Sequence, residues 1–395
     1  MKDDDVNRRR QSIRSNAQSP LAVSRREFLR LASAGAAGGL ICGGWRAYAA
    51  ADAPGAAPAA REARFYEKLA NRAVRCGICP RACVVPEGGR GYCEVRENRR
   101  GTYYSLVYGY PASVHVDPIE KKPLFHVYPG SKAFSMATAG CNIDCKFCQN
   151  WELSQSRPED ISPAPAYTTP AAVAAAAARS GARAIAYTYN EPTVFYEYMA
   201  DCARAGRDVG VESVVVTNGF ISAAPQKELM GLVKAVKVDL KAFTPGFYRD
   251  VCDGFLEPVL ESLKRLKGGG MWIEIVVLLI PTLNDAPGEI RRMSDWILKE
   301  LGPDVPLHFT RYHPQYKMRN LPPTPLATLA RARAIAMAQG LRFVYTGNAP
   351  GAEGQDTACP ACRATLIKRY GFGVEALRIV NGKCGSCGAA IPGVW

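Results

Sequence analysis

Three cysteines stand close together in the stretch Gly140-Cys141-Asn142-Ile143-Asp144-Cys145-Lys146-Phe147-Cys148. A cubane [4Fe-4S] cluster usually takes four thiolates, one for each iron. Three thiolates leave one iron free to bind an external ligand, just as a catalytic zinc keeps an open position. The spacing therefore predicts a catalytic cluster held by Cys141, Cys145 and Cys148. The alternatives are a zinc site completed by a distant histidine and a cluster with a fourth cysteine from elsewhere.

The sequence after this triad alternates β-branched runs with amphipathic or alanine-rich stretches. Strand and helix repeated in this way predict an α/β fold with a parallel sheet covered by helices, and closure gives a partial (βα)6 TIM-type barrel. An open, doubly wound sheet is the alternative. The predicted strands are 134–138, 184–189, 213–217, 235–240, 272–280, 306–310 and, as a further one, 342–346. The predicted helices are 169–179, 194–204, 224–233, 258–266, 288–301 and 325–339.

Polar residues follow each of the six main predicted strands. Function in parallel barrels collects at the carboxyl ends of the strands, so these groups are expected to meet at one edge. Each alone is ordinary turn or cap chemistry, but six together predict a binding site. After the cysteine loop they are Tyr189-Asn190-Glu191-Pro192, Thr217-Asn218-Gly219-Phe220, Asp239-Leu240-Lys241, Pro281-Thr282-Leu283-Asn284-Asp285 and Arg311-Tyr312-His313-Pro314.

Two cysteine pairs near the end of the chain have the pattern of a zinc ribbon. They are Cys359-x2-Cys362 and Cys384-x2-Cys387. Four thiolates leave a zinc ion no open position, so the predicted role is structural. A second iron-sulfur cluster or a rubredoxin-like iron is the alternative, although the spacing suits a single ion better than a cubane.

A third group of cysteines precedes the triad: Cys76, Cys79, Cys83 and Cys93. Four thiolates within so short a segment predict a module folded around a metal, with zinc or an auxiliary [4Fe-4S] cluster as equal possibilities. Disulfides are a third possibility if the protein reaches an oxidising compartment. The isolated Cys42, Cys202 and Cys252 read as buried apolar residues or incidental thiols.

The basic excess of the chain lies partly at its start. The 395 residues carry a net charge of +14, of which residues 1–50 contribute nine basic and four acidic side chains. Ser24-Arg25-Arg26-Glu27-Phe28-Leu29-Arg30, an apolar run and Ala47-Tyr48-Ala49 occur in the order of a twin-arginine export leader with its cleavage site. A disordered basic tail is the alternative, and the run is too short to span a membrane. The remaining charge, lowered further by metal-bound thiolates, gives no strong support for a nucleic-acid partner.

The triad resembles the signature of the radical SAM enzymes, which have an aromatic residue before the last cysteine, as Phe147 is here. The resemblance implies that the open iron chelates S-adenosylmethionine, whose reductive cleavage by a low-potential electron gives a 5′-deoxyadenosyl radical that abstracts hydrogen. By similarity to pyruvate formate-lyase activating enzymes, Asn190 and Glu191 meet the methionyl amino group and Asn218 and Gly219 the ribose. Asp239 and Lys241 then lie beside the carboxylate, and His313, or His308 instead, lies near the cofactor.

The chain further resembles the radical SAM enzymes of the AmmeMemoRadiSam system. The similarity lies in Asp117-Pro118-Ile119-Glu120-Lys121-Lys122-Pro123-Leu124-Phe125-His126, in the triad and the residues that follow it, in Tyr189 to Pro192, and in the terminal cysteines. It implies AMMECR-type and Memo-type proteins as partners. The predicted organisation is a leader (1–50), a linker (51–63), a cysteine-rich module (64–129), the radical SAM barrel (130–348) and a C-terminal zinc-ribbon-like subdomain (349–395).

These features together predict a radical SAM enzyme, similar to glycyl-radical-activating enzymes, that abstracts hydrogen from a protein, peptide or other site. A non-catalytic iron-sulfur electron carrier or metal-binding adaptor is one alternative, and an RNA-modifying radical SAM enzyme is another. The leader predicts export to the periplasm after folding, with a cytoplasmic location as the alternative.

Overall fold

One eight-stranded sheet forms the centre of the computed structural model, which describes residues 60–349 and 351–395. Its strands follow chain order from one edge to the other, and all neighbours are parallel except the first pair. They are β7 (Ser113–Pro118), β8 (Lys132–Ala137), β9 (Ala184–Tyr187), β10 (Glu212–Thr217), β11 (Ala235–Asp239), β12 (Trp272–Leu279), β13 (Leu307–Arg311) and β14 (Val344–Gly347). The seven predicted strands are confirmed to within two residues at each end.

The strand order excludes one of the two predicted architectures, the open, doubly wound sheet. A doubly wound sheet reverses its strand order at a switch point, and no reversal occurs here. β7 and β14 form the two edges, and no hydrogen-bonded pairing joins them within the described ranges. The α/β class with a parallel sheet is therefore confirmed, and closure into a barrel stays a prediction.

Helices connect the parallel strands and cover the sheet, which is why strands such as β9 are buried along their whole length. The six predicted helices are present, whereas α1 and α5 were not predicted because each is short. The helices are α1 (Trp151–Ser154), α2 (Pro170–Arg179), α3 (Tyr196–Asp208), α4 (Ala223–Met230), α5 (Pro245–Cys252), α6 (Leu256–Gly268), α7 (Pro287–Leu301) and α8 (Leu326–Ala338). In the part of the chain that the structure describes, each helix is too short or too polar to cross a membrane.

The segment between β7 and β8 closes the amino end of the sheet. The backbone N–H groups of Phe125 and His126 donate to the carboxylate of Glu274 at 2.9 and 2.8 Å. Glu274 is the third residue of β12, so Phe125 and His126 lie near the end of the sheet opposite the cysteine loop. β7, which contains Asp117, was not predicted from the sequence.

Smaller sheets flank the central one on the N-terminal and C-terminal sides of the chain. Two three-stranded sheets lie in the segment that contains the N-terminal cysteines, and residues 61 and 62, assigned above to the linker, pair with one of their strands. These strands are β1 (Arg61–Glu62), β2 (Tyr66–Lys68), β3 (Val74–Cys76), β4 (Val84–Val85), β5 (Arg96–Arg99) and β6 (Thr102–Ser105). The C-terminal strands are β15 (Thr357–Ala358), β16 (Thr365–Tyr370), β17 (Gly373–Leu377), β18 (Ile379–Val380) and β19 (Lys383–Cys384). The predicted leader and Cys42 lie outside the described residues.

Candidate active site and metal centres

A cavity of about 370 Å³ opens at the carboxyl ends of the parallel strands. Residues from the loops after β8, β9 and β10 line it, together with residues of β11, β12 and β13, so it collects side chains from successive strands. We call it the strand-end cavity. Nine of the predicted site residues line it: Cys141, Cys145, Phe147, Cys148, Asn190, Glu191, Asn218, Asp239 and Lys241.

Two predicted site residues do not line the strand-end cavity. Gly219 has a φ of +73°, and a Cβ atom there would lie 2.9 Å from a methyl group of Val238, so its backbone packs on β11. His313 is exposed and lies outside the cavity wall. His308 is buried instead beside Glu274, with Nε2 2.7 Å from a carboxylate oxygen.

The triad thiols are buried among polar and charged neighbours. Burial raises the pKa of Cys141, and the nearby Glu191 carboxylate raises it further. A hydrogen bond with Cys252 raises the pKa of Cys145, with burial as the second cause. Thiols held neutral in this way ionise when a cation binds them, which is the condition for holding a metal cluster. Cys252, read from sequence as isolated, is thus a neighbour of the triad.

Asn190 braces the loop that carries the triad. Its Nδ2 donates to the backbone oxygens of Thr138 and Gly140 at 2.9 and 2.7 Å. Its carbonyl oxygen Oδ1 has no hydrogen-bond partner among the described residues, although it is buried. A buried acceptor without a partner is costly, so this oxygen is a candidate to accept a bond from a ligand.

Glu191 differs from Asn190 because its carboxylate is already saturated. It accepts bonds from the Thr193 and Thr217 hydroxyls and from the backbone N–H groups of Thr193 and Asn218, at 2.6–2.9 Å. Burial nevertheless raises its pKa. These bonds fix the loop after β10, where Asn218 Nδ2 lies 3.9 Å from Cys141 Sγ.

Asp239 lies between two lysines at the end of β11. The Lys241 ammonium is 3.0 Å from one carboxylate oxygen, and Lys237 contacts the other. Burial would raise the pKa of Asp239, but the two ammonium groups outweigh it and hold the pKa at about 2. The group therefore carries one net positive charge in the cavity wall, which suits an anionic group of a ligand.

A second group of two lysines and one aspartate faces the cavity, with its lysines in the segment between β7 and β8. Lys121 and Lys122 contact the two oxygens of Asp117 at 2.9 and 2.5 Å, and the Tyr189 hydroxyl donates to Asp117 at 2.6 Å. Burial lowers the pKa of Lys122 to about 8 despite the attraction of Asp117. No site role was predicted for these residues, although the run of charged residues from Asp117 to Lys122 belongs to a motif noted in the sequence.

The C-terminal cysteines are arranged for a single metal ion. Cys359 Sγ lies 3.7 Å from Cys387 Sγ, and Cys362 Sγ lies 3.7 Å from Cys384 Sγ. A tetrahedral ion with metal–sulfur bonds of about 2.3 Å spaces its ligands about 3.8 Å apart, which matches these distances. Zinc and a rubredoxin-like iron both fit this geometry. The same subdomain sends Phe372, in the turn between β16 and β17, to the wall of the strand-end cavity.

The N-terminal cysteines are free thiols that lie close enough to affect one another. Burial raises the pKa of Cys79 to about 12, and the other three thiols add to the rise. Cys76 ends β3, and Cys93 precedes β5. This quartet packs on the triad loop, because a Cβ atom at Gly140 would lie 2.6 Å from the backbone oxygen of Cys93. Gly140, with a φ of +89°, is therefore required at this contact.

Comparison with known proteins gives one family match and several related chains. The model of the Radical SAM superfamily matches residues 136–294. The uncharacterised protein MJ0808 of Methanocaldococcus jannaschii is 45% identical over 335 residues, which cover 84% of this chain and 98% of that protein. Among solved structures, a domain of a pyruvate-formate lyase-activating enzyme from Bacteroides vulgatus is 17% identical, with 42% of this chain and 99% of that chain covered and a TM-score of 0.38. A radical SAM methyltransferase from Sphaerobacter thermophilus is 18% identical, with coverages of 58% and 71% and a TM-score of 0.44.

Proposed function

Because this chain belongs to the radical SAM superfamily, we propose that it is an enzyme whose Cys141, Cys145 and Cys148 hold a catalytic [4Fe-4S] cluster. The observation that carries the proposal is the meeting of this triad with Asn190, Asn218 and the Asp239 group in one cavity at the strand ends. Bound there, the cluster supplies the electron that cleaves S-adenosylmethionine to methionine and a 5′-deoxyadenosyl radical, which abstracts hydrogen from the substrate.

The protein groups of the cavity complement the charged parts of S-adenosylmethionine. The unpartnered Oδ1 of Asn190 accepts a hydrogen bond from the methionyl ammonium group. The net positive charge of the Asp239 group attracts the methionyl carboxylate. Asn218 lies beside Cys141, and its side-chain amide would bind the ribose hydroxyls of the cofactor. Glu191 acts through the loops that it holds, since its carboxylate has no free acceptor position.

We propose that the substrate is a short protein or peptide segment with an anionic group. A volume of about 370 Å³ is near the lower limit for small-molecule sites, so beside the cofactor it leaves room for only a small part of a substrate. Lys121 and Lys122 share one carboxylate, so they retain a positive charge that would hold the anionic group at the cavity wall. A role similar to that of glycyl-radical-activating enzymes fits these features.

The finer assignment to the AmmeMemoRadiSam system is also a proposal, supported by the motif from Asp117 to His126 and by the terminal cysteines. It predicts that the protein binds AMMECR-type or Memo-type proteins and accepts electrons from a low-potential donor. Copurification of these proteins with the chain, against unrelated proteins as the control, tests the partners. The C-terminal quartet is proposed to hold zinc.

Release of 5′-deoxyadenosine tests the central proposal. Anaerobically reconstituted protein, reduced with dithionite, is expected to release 5′-deoxyadenosine from S-adenosylmethionine, and Cys145→Ala is expected to abolish the release. Cys202→Ala is the matched control, because Cys202 is buried in α3 and does not line the cavity. A fully loaded wild-type protein that undergoes reversible redox change without cleaving S-adenosylmethionine would contradict the proposal and favour the electron-carrier alternative.

A further inference from the structure

Two buried hydrogen-bond donors beside the N-terminal quartet have no partner. Nη1 of Arg96 and the hydroxyl of Tyr103 are buried without an acceptor within the described part of the chain. Arg96 is held by its other nitrogens, since Nε donates to Val194 O at 3.2 Å and Nη2 to Glu197 at 2.7 Å. A buried donor left unsatisfied costs about 1–3 kcal/mol. Their position therefore points to acceptors that complete this region of the fold.

The thiols of the quartet lie beside these donors and become acceptors when they bind a metal cluster. Arg96 lies three residues after Cys93, and Cys76 and Cys93 are close enough for a charge on either sulfur to act on both Arg96 and Tyr103. Gly91 fixes the approach of the phenol, because a Cβ atom there would lie 2.5 Å from the Tyr103 hydroxyl and 4.0 Å from Cys93 Sγ. A charged donor and a neutral donor thus lie near two of the four cysteines.

The spacing of the sulfur atoms distinguishes this quartet from the C-terminal one. Within the described ranges, only the C-terminal quartet brings three or more metal-ligating atoms within 4.8 Å of one another. Neither the N-terminal quartet nor the triad meets that limit. A cubane holds its thiolates farther apart than a single tetrahedral ion does, because each thiolate binds a different iron. Among the described residues, the N-terminal quartet therefore lacks the close sulfur spacing of the zinc-like site, as the triad does.

The quartet also adjoins the triad directly. The backbone oxygen of Cys93 packs on Gly140, the residue before Cys141. From the other side, Arg81, which lies between Cys79 and Cys83, donates through Nε to the backbone oxygen of Asn142 at 2.6 Å. Two segments of the quartet thus contact the residues on both sides of Cys141, and only a few bonded atoms separate the two sets of ligands.

We propose that Cys76, Cys79, Cys83 and Cys93 hold a second, redox-active [4Fe-4S] cluster that receives hydrogen bonds from Arg96 and Tyr103 and exchanges single electrons with the cluster of the triad. An external one-electron donor of low potential reduces the second cluster. That electron then passes to the cluster of the triad. Its loss returns the second cluster to the oxidised state, and no bond is made or broken at the quartet. The four thiolates leave no open iron, so this cluster does not bind S-adenosylmethionine.

Metal analysis of a variant without the triad tests the cluster independently of S-adenosylmethionine cleavage. Full-length protein with Cys141→Ala, Cys145→Ala and Cys148→Ala is expected to retain about four irons and four sulfides per chain after anaerobic reconstitution. Adding Cys79→Ala and Cys93→Ala is expected to remove them. A triad variant that instead contains two zinc ions and no iron per chain would overturn the proposal, whether or not the wild type cleaves S-adenosylmethionine.

The role of Tyr103 is tested by the reduction potential of the retained cluster. Hydrogen bonds to cluster sulfurs favour the reduced, more negative state. Tyr103→Phe in the triad variant is expected to leave the iron content unchanged and to lower the reduction equilibrium constant about tenfold, which is about 59 mV for one electron. Tyr66→Phe is the matched control, because its ring lies 5.9 Å from that of Tyr103 while its hydroxyl donates to Glu62. Equal reduction potentials in the two variants would show that Tyr103 does not donate a hydrogen bond to the cluster.

Electron paramagnetic resonance tests the proximity of the two clusters. In reduced wild-type protein, the two paramagnetic clusters are expected to broaden or split each other's signals. The signal of each variant that lacks one cluster is expected to be simple. A wild-type spectrum equal to the sum of the two variant spectra would show that the clusters do not interact and would overturn the proposed electron exchange.

Discussion

The side-chain amide of Asn190 donates to the backbone oxygen of Gly140 at 2.7 Å, which ties the loop after β9 to the loop that carries the triad. The same nitrogen also bonds Thr138 at 2.9 Å. One residue thus positions the triad loop and presents an unpartnered acceptor, Oδ1. In a radical SAM enzyme, the cluster and the methionyl group of S-adenosylmethionine must be aligned, and Asn190 is placed to serve both.

Asn190→Ala is expected to weaken the binding of S-adenosylmethionine to cluster-loaded protein. The loss of one hydrogen bond to a charged group is worth about 1.5–3 kcal/mol, which corresponds to a roughly 10- to 100-fold higher dissociation constant. Equilibrium dialysis under anaerobic conditions measures it. Asn320→Ala, at an exposed position outside the cavity, is the control. An unchanged dissociation constant in Asn190→Ala with full iron content would limit Asn190 to bracing the loop.

Lys122 is expected to titrate near pH 8. Burial disfavours its charged form, while Asp117, 2.5 Å away, favours it, and burial prevails. Asp117→Asn removes the attraction, so the pKa of Lys122 is expected to fall further. Nuclear magnetic resonance of ¹³C-methylated lysines follows the titration in both proteins. An Asp117→Asn variant in which this pKa rises would contradict the assigned balance of burial and charge.

The lowered pKa of Lys122 also predicts how this residue affects the free energy of unfolding. Between about pH 8 and 10.5, the unfolded chain keeps the Lys122 proton that the folded protein has released. The free energy of unfolding therefore gains up to about 3 kcal/mol from this group as the pH rises through that window. Lys122→Met is expected to remove this gain, as measured by urea denaturation at pH 7 and pH 10. The exposed Lys299→Met is the control, since that side chain is 82% exposed.

The sequence was sufficient to predict the parallel sheet because buried β-branched runs and amphipathic helices have different periods along the chain. β10, with the sequence Glu-Ser-Val-Val-Val-Thr, is such a run. β7 was missed although Ser113–Pro118 alternates polar and apolar residues, because it ends in a proline and its antiparallel pairing with β8 depends on the tertiary fold. The predicted domain boundaries stay predictions.

The candidate site was predictable where a residue lies directly after a strand, as Asn190 and Asp239 do. Contacts between distant segments were not predictable. Cys252 is more than one hundred residues from Cys145 in sequence, and only the packing of α5 on the triad loop joins them. Phe372 reaches the cavity in the same way, from a turn in the C-terminal subdomain. The positions of Gly219 and His313 likewise depend on how each loop turns after its strand.

Removal of the C-terminal metal is expected to disturb the strand-end cavity as well as the C-terminal subdomain. The subdomain has only a small core around Leu366, Ile367 and Ile391, so a metal ion held by the quartet would supply much of its folding energy. Cys359→Ala combined with Cys384→Ala is expected to lose one zinc ion per chain and to make the segment after residue 351 sensitive to proteases. Mass spectrometry of native and digested protein measures both effects.

The link to the cavity is the turn that carries Phe372. The zinc-deficient variant is expected to keep its iron but to release 5′-deoxyadenosine at least severalfold more slowly, because the cavity loses part of its wall. Cys202→Ala, which removes a buried cysteine from α3, is the matched control for both metals. If a variant shown to lack zinc released 5′-deoxyadenosine as fast as the wild type, the subdomain would not be needed to form the cavity.

Glu197 is expected to be essential for stability because it neutralises the buried Arg96. Their side chains are 1% and 0% exposed and lie 2.7 Å apart, and Glu197 also accepts a bond from the backbone N–H of Arg64. Glu197→Ala removes one member of a buried ion pair, which typically costs about 3–5 kcal/mol. Asp304→Ala breaks the exposed pair with Arg342 and is expected to cost less than about 1 kcal/mol. Urea denaturation under anaerobic conditions compares the two, and equal losses would show that Arg96 has another counter-charge.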